Sequence, residues 1–343
     1  MLGIGRYAWP IWISKFFRTV TMSTIRRLFF VLLLSCLPLT SWSQSWPSKP
    51  VKIVVPFAAG SSTDILGRFL AERLSKSLGQ TFVVENKAGA GGMIGSEQVA
   101  RSVPDGYTLI MLGSGPFATN PAVYTKLPYD PIKDFEPIIN IAMTPQMYVV
   151  GAQSRFRGLK ELIDAAKREP GSITAASLGN GSTSHLSLEA FQSRAGIKFI
   201  HVPFKGSSEA QTQLIGGNVS LMSDALPGVR AQLSAGKLRA LAIVSQSRSP
   251  FFPEVPTVLE AGITDLEAIG WIGLGAPAGT PVQILDRLNT EINRMIKDQT
   301  SKERFDALGF VEAVGTRAEF AQFIRAEIAK WSKVAKDANI RIE

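Results

Sequence analysis

The chain holds one cysteine and two histidines in 343 residues. The cysteine, Cys36, lies in an N-terminal leader. Once the leader is removed, the mature chain has no disulfide and no thiol chemistry. A chain of this length buries enough surface to fold without disulfides. His185 and His201 form no His/Cys pair at metal-ligand spacing. No G-x-S-x-G nucleophile elbow is present. The net charge of +9 suggests nucleic acid until it is located. Residues 1–43 carry five basic residues and no acid, which leaves 32 basic against 28 acidic residues, or +4, for the remainder. That remainder has no basic run with interleaved aromatics, so nucleic-acid binding is not expected.

The leader reads as a secretory signal. Arg26 and Arg27 precede the apolar run Leu28–Leu39, and Ser41 and Ser43 supply small residues for cleavage after Ser43. The run is too short to anchor a chain in a bilayer. Residues 1–21 precede a second methionine and read as an early start. Leu33-Leu-Ser-Cys36 loosely resembles a lipoprotein box, but Leu34 is too large for a good match. The expected location is the periplasm.

Beyond the leader, strand and helix signals alternate. Lys52–Pro56, Thr81–Glu85 and Tyr107–Leu112 read as strands, with helices over Ile65–Leu78 and Met93–Val103. A second α/β unit follows. Its strands are Ile173–Ser177, Phe199–Val202, Leu221–Ser223 and Ala240–Val244. Its helices are Leu159–Glu169, Ser184–Ala195, Glu209–Gly216 and Val229–Ala235. Two extended stretches, Gln146–Val150 and Ile269–Ala276, separate the units, and helices near Val282–Asp298 and Arg317–Ala338 close the chain. The expected architecture is therefore α/β and two-lobed. Residues 46–147 plus 273–343 form lobe 1, residues 148–272 form lobe 2, and hinges lie near Tyr148 and Gly273. Clefts between lobes are the usual place for small ligands.

Two loops have one design. Ala58–Asp64 (AAGSSTD) joins a strand end to a helix, and so does Ser177–His185 (SLGNGSTSH). Each offers glycine, then hydroxyl side chains, then helical N–H groups with no intrahelical partner. Such ends attract anions, although Ser, Thr and Asp also cap helices with no ligand at all. Two helix starts facing one cleft suit a dicarboxylate. Gly113–Pro116 and Asp224–Pro227 follow two further strand ends.

Other readings of these residues are weaker. Gly89-Ala-Gly91-Gly92-Met-Ile-Gly95 departs from G-x-G-x-x-G, follows the second strand, and has no ribose-binding acid after it. Ser184, His185 and Asp224 could suggest a secreted serine hydrolase, but neighbouring helical residues point about 100° apart. Lys205 reads as a solvated loop lysine, and Trp271 and Trp331 as packing residues.

Several stretches together resemble a known family: Val55–Asp64, Val84–Gly95, Pro104–Leu109, Gly181–Leu186, Val202–Gly206 and Val255–Thr257. The chain resembles the Bug-type receptors, the periplasmic solute-binding components of tripartite tricarboxylate transporters, over nearly all of residues 46–343. The resemblance implies a two-lobed, type II-like periplasmic binding protein that is monomeric, needs no cofactor and catalyses no reaction. It implies capture of a small organic acid: a di- or tricarboxylate, an acidic amino acid or an aromatic carboxylate. It also implies handover to a two-subunit membrane permease. The site residues it implies are Phe57, Ala58, Gly60, Ser61, Ser62, Thr63, Asp64, Gly181, Ser182, Thr183, His185 and Asp224. Many members carry a glycine pair where this chain has Ala59-Gly60-Ser61, so here a hydroxyl is added. A ligand-sensing subunit for a membrane kinase is a further alternative.

Overall fold

A computed structural model describes residues 46–337 and 340–342. The leader read at residues 1–43 lies outside them. The first half of the fold starts with β1 (Val51–Val55), α1 (Ser62–Leu78), β2 (Phe82–Asn86), α2 (Met93–Ala100) and β3 (Thr108–Gly113). Strands β2, β1 and β3 pair in parallel, as strand–helix–strand alternation requires. Helix α1 is fixed on the sheet by Leu66, Leu70 and Leu74, all fully buried at i, i+4 spacing. Each contributes roughly 1.5–3 kcal/mol of burial.

After β3 the chain makes a wide π-helical turn (Gly115–Thr119) and the one-turn helix α3 (Asn120–Val123). It then enters β4 (Phe135–Gly151), a strand of 17 residues. From sequence only Gln146–Val150 is expected to be extended there. Pro137 and Pro145 hide the rest, and register shifts at Pro137/Ile139 and Asn140/Ala142 accommodate the irregularity.

Strand β4 belongs to both halves. Phe135–Pro145 pairs antiparallel with β9 (Ile269–Pro277), which also pairs with β3. From Gln146 onward β4 pairs instead with β7 (Leu221–Ala225) and β8 (Leu238–Ile243). The second half adds α4 (Leu159–Arg168), β5 (Ile173–Ser177), α5 (Thr183–Ala195), β6 (Phe199–Pro203), α6 (Ser207–Ile215) and α7 (Leu226–Ser234). The strand order is β2-β1-β3-β9-β4-β7-β5-β6, with β8 and β10 (Val311–Glu312) pairing on β4. The pairing partner of β4 thus changes at Pro145–Gln146, and β9 begins at Ile269.

Helices α8 (Val282–Ile296), α9 (Gln299–Leu308) and α10 (Arg317–Asp337) complete the first half. The sequence gives no clear signal for α9, because Phe305 is its only large buried apolar residue in a charged stretch. The parallel strands of both halves end at the cleft, where open α/β sheets bind ligands. Among the described residues no helix is long and apolar enough to cross a membrane.

Candidate functional site

The two helix starts share their capping bonds, and the Ser182 hydroxyl in addition donates to the Gly179 carbonyl at 2.7 Å. Helix α1 is capped by Ser61 (φ −70°, ψ 158°), whose hydroxyl accepts from the Asp64 N–H at 3.2 Å. Helix α5 is capped by Ser182 (φ −65°, ψ 158°), whose hydroxyl accepts from the His185 N–H at 3.2 Å. The Ser61 N–H donates to the Ala58 carbonyl at 3.3 Å, and the Ser182 N–H to the Gly179 carbonyl at 3.2 Å. Gly60 (φ 83°) and Gly181 (φ 75°) both take left-handed backbone, which side chains disfavour. In each helix the next two N–H groups, of Ser62 and Thr63 and of Thr183 and Ser184, have no intrahelical acceptor.

Both starts line one cavity. Phe57, Ser61, Ser62 and Thr63 come from the first half, and Ser182, Thr183 and Ser184 from the second. Ser114 and Gly115 after β3, Thr144 and Gln146 of β4 and Gly270–Ile272 of β9 complete most of the wall. The cavity offers about 60 Å³ to the centres of water-sized molecules. Among the described residues that line it there is no lysine or arginine, and Asp224 is the one carboxylate. A negative group in this cavity would meet neutral donors and helix ends, including the Ser62 hydroxyl, which is buried without a partner.

Of the residues named from sequence, the cavity brings together Phe57, Ser61, Ser62, Thr63, Ser182, Thr183 and Asp224. Ala58, Gly60, Asp64, Gly181 and His185 are not on its wall. Ala58 and Gly60 sit where the halves touch. A Cβ on Gly206 would come 2.7 Å from the Ala58 Cβ, and one on Gly60 would come 2.8 Å from the Ser208 hydroxyl.

Asp64 and His185 lie behind the wall and hold the glycine loops. Asp64, 3% exposed, accepts from the Gly60 N–H at 2.9 Å, Arg68 Nε at 3.1 Å and Asn86 Nδ2 at 2.8 Å. Burial pushes its carboxyl up, but these bonds and the Arg68 charge together outweigh burial and hold it below the usual range. His185 Nδ1 accepts from the Gly181 N–H at 3.2 Å, so that nitrogen carries no proton. The ring stacks on His201 with centroids 4.0 Å apart. Burial, with His201 adding repulsion, lowers His185 to about 3, and burial lowers His201 to about 4. Glu189, whose carboxyl burial raises, lies 3.7 Å from His185 Nε2, and because His185 is neutral at neutral pH the contact is not an ion pair there.

Asp224 sends its carboxyl toward α6 and α7. Oδ1 accepts from the Ala225 N–H at 2.7 Å, and Oδ2 from the Ser207 hydroxyl. Burial raises it to about 6 against those bonds and one from Gln211. The Ser184 hydroxyl accepts from the Leu178 N–H at 2.9 Å and lies 3.0 Å from the Ser182 hydroxyl. Ser184, His185 and Asp224 therefore each bond elsewhere and assemble no nucleophile–base pair.

Sequence reasoning left out Ser114, Thr144, Gln146 and Ser184 as site residues, and it read Trp271 as packing. Trp271 does pack, edge-on to Phe320 at 5.5 Å, while its residue also borders the cavity. A strand-end signal existed for Ser114, in Gly113–Pro116. Thr144 and Gln146 sit inside β4, where only strand pairing brings them to the cleft.

The sequence model described as the tripartite tricarboxylate transporter family receptor matches residues 66–340. Protein BugT of Bordetella pertussis is 36% identical over 302 residues, 88% of this chain and 93% of its own. An R. palustris protein solved with adipate superposes with a TM-score of 0.84 at 38% identity, covering 86% of this chain and 99% of the other. MatC from Rhodopseudomonas palustris, with bound malate, gives 0.80 at 32%, covering 84% and 99%. A TctC solute-binding protein from Polaromonas, solved with no ligand, gives 0.61 at 30%, covering 85% and 100%. The matched family is one of transporter receptors, not enzymes, and the Polaromonas neighbour is a solute-binding protein. The chain belongs to the receptors of the tripartite tricarboxylate transporter family, as a Bug-type member with their two-lobed periplasmic-binding-protein fold.

Proposed function

We propose that the chain is a periplasmic receptor that captures a small organic dicarboxylate between its lobes and delivers it, as a monomer, to a two-subunit membrane permease. The observation that carries this reading is the pair of matched helix starts at Ser61 and Ser182 on one cavity. In this reading each presents two N–H donors to one carboxylate of a diacid. Neighbours of the same fold hold adipate and malate. The lobes are residues 46–147 with 273–343, and residues 148–272. They close by bending in β4 and β9, on contacts made only in the closed state. Phe57 flanks the carbon chain, and the hydroxyls of Ser61, Ser62, Thr63 and Thr183 orient it, while Ser182, whose hydroxyl donates to the Gly179 carbonyl, serves as the cap. Ala58, Gly60, Asp64, Gly181, His185 and Asp224 serve by shaping the loops that make the site.

Proline gives a direct test. Ser62 is the first helical residue after a cap with extended backbone, a position that accepts proline. Ser62→Pro deletes one N–H donor and leaves the helix intact, while Ser62→Ala deletes only the hydroxyl. A hydrogen bond to a charged group is worth about 1.5–3 kcal/mol, so titration calorimetry with malate and adipate should show roughly ten- to hundredfold weaker binding in the proline variant. Equal affinity in wild type, Ser62→Ala and Ser62→Pro would sink the backbone-donor account.

A further inference from the structure

A second set of contacts crosses the cleft outside the cavity. Thr119, Asn120 and Tyr124, which do not line it, press on the lobe-two loop Gly179–Thr183. The Thr119 hydroxyl donates to the Gly181 carbonyl, and the Tyr124 hydroxyl donates to the Asn180 carbonyl at 3.2 Å. Beside them, on the cavity wall, the Ser114 and Thr183 hydroxyls are 2.7 Å apart. The fit is close. A Cβ on Gly181 would fall 2.5 Å from Asn120 Oδ1 and 2.5 Å from Tyr124 Cε2.

The lobe-one side is firmly mounted. Phe117 packs against Phe135 at 4.8 Å, and the Tyr129 hydroxyl donates to the Pro116 carbonyl at 2.7 Å. Helix α10 packs behind, and the C-terminal segment bonds in through the Ile342 N–H to the Val123 carbonyl at 2.9 Å. The loop it meets carries the N–H donors of Thr183 and Ser184. Holding that loop's carbonyls from one lobe therefore fixes its donors over the cavity.

The contact is also built to release. A threonine hydroxyl has one proton to give. Thr119 has two carbonyls within reach, Gly181 across the cleft and Gly115 in its own turn at 3.0 Å. When the lobes part, the hydroxyl turns its proton to the Gly115 carbonyl, and no buried donor is orphaned. Tyr124 is half-buried and turns to water.

We propose that Thr119 and Tyr124 are a latch, positioning residues that hold the Gly179–Thr183 loop shut and set how long the captured acid stays rather than which acid is chosen. This rests on the receptor reading above. A typical net hydrogen bond corresponds to roughly two- to tenfold in an equilibrium. Thr119→Val and Tyr124→Phe should each raise the dissociation rate of adipate or malate by that factor and leave the association rate within about twofold. Thr119→Ser, which keeps the hydroxyl, should behave as wild type.

The test needs no ligand for its first arm. The chain from residue 44 onward contains no cysteine, so spin labels can be placed at Lys87→Cys in lobe one and Lys205→Cys in lobe two. Pulsed dipolar spectroscopy on the ligand-free protein should show longer label distances in Thr119→Val and Tyr124→Phe than in wild type and Thr119→Ser. Identical distributions in all four would overturn the latch. Stopped-flow dissociation with adipate and malate is the second arm. Equal changes in both rate constants, or no change in dissociation, would also overturn it. If wild type binds neither acid, the receptor reading loses its ligand, and the distance distributions alone decide the latch.

Discussion

Asp64 and His185 stand in equivalent places in the two lobes, each the third residue after a capping serine and each accepting the N–H of the glycine before that serine. One is a carboxylate that must stay ionised and the other an imidazole that must stay neutral. Both are acceptors, which is what the loop requires. Their role is to shape the donors of Ser62, Thr63, Thr183 and Ser184, and this makes two predictions about chemistry that never touches a ligand.

The first concerns Asp64. Asp64→Ala leaves the Gly60 N–H without its acceptor and takes one from Asn86 and Arg68, which keep the Phe57 carbonyl and Asn86 Oδ1, at a cost of about 1–3 kcal/mol for an unmet buried group. Denaturant unfolding should show that loss, with weaker dicarboxylate binding in parallel. A variant with wild-type stability and affinity would contradict the role. Because the folded Asp64 is held below its unfolded value, its contribution is present above about pH 3.9 and is lost as pH falls through the folded pKa.

The second concerns His185. Its folded pKa of about 3 lies below the unfolded value of about 6.5, so the unfolded chain binds more protons between those limits. Stability is present in full above about pH 6.5 and declines as pH falls toward 3. The slope approaches 1.4 kcal/mol per pH unit for this one group, or about 2 kcal/mol by pH 5. His185→Gln keeps an acceptor for Gly181 and cannot protonate. Melting curves at pH 7.5 and pH 5 should therefore lie closer together in the variant than in wild type; equal spacing in both would refute the neutral, buried histidine.

Gly181 is the point where loop shape and lobe closure meet. Gly181→Ala puts a side chain on backbone at φ 75°, costing about 1–2 kcal/mol, and drives its methyl into Asn120 and Tyr124. Affinity for any ligand of the closed cleft should fall at least tenfold. Gly196→Ala is the control, since it pays the same backbone cost at φ 64° with open space around it. Equal affinities in the two variants would show that closure does not depend on this contact.

Much of this was legible before any coordinates. Gly-Ser-Ser-Thr and Gly-Ser-Thr-Ser after strand ends announced both capped helices, because capping is local chemistry read within four residues. The strand–helix alternation gave the α/β lobes for the same reason. Which side of the cap each residue faces was not legible. Asp64 and Ser62 look equally available in sequence, yet the helix turns one inward to Arg68 and Asn86 and the other to the cavity. Thr144 and Gln146 carry no local signal, since the pairing of β4 with β9 and β7 across a long sequence separation places them. The latch residues Thr119 and Tyr124 meet their partners only when the lobes come together.

The central claim is that the matched helix starts hold an organic acid. The most direct measurement is thermal unfolding of residues 44–343, first unfolded and refolded to strip bound solute. The panel is malate, adipate, citrate, succinate, aspartate, glutamate, nicotinate and benzoate. A true ligand at 100 times its Kd stabilises by about 2.7 kcal/mol, which moves the midpoint by several degrees. The account predicts such a shift with a dicarboxylate, reduced in Ser62→Pro. A folded sample whose midpoint moves with none of these acids would contradict it.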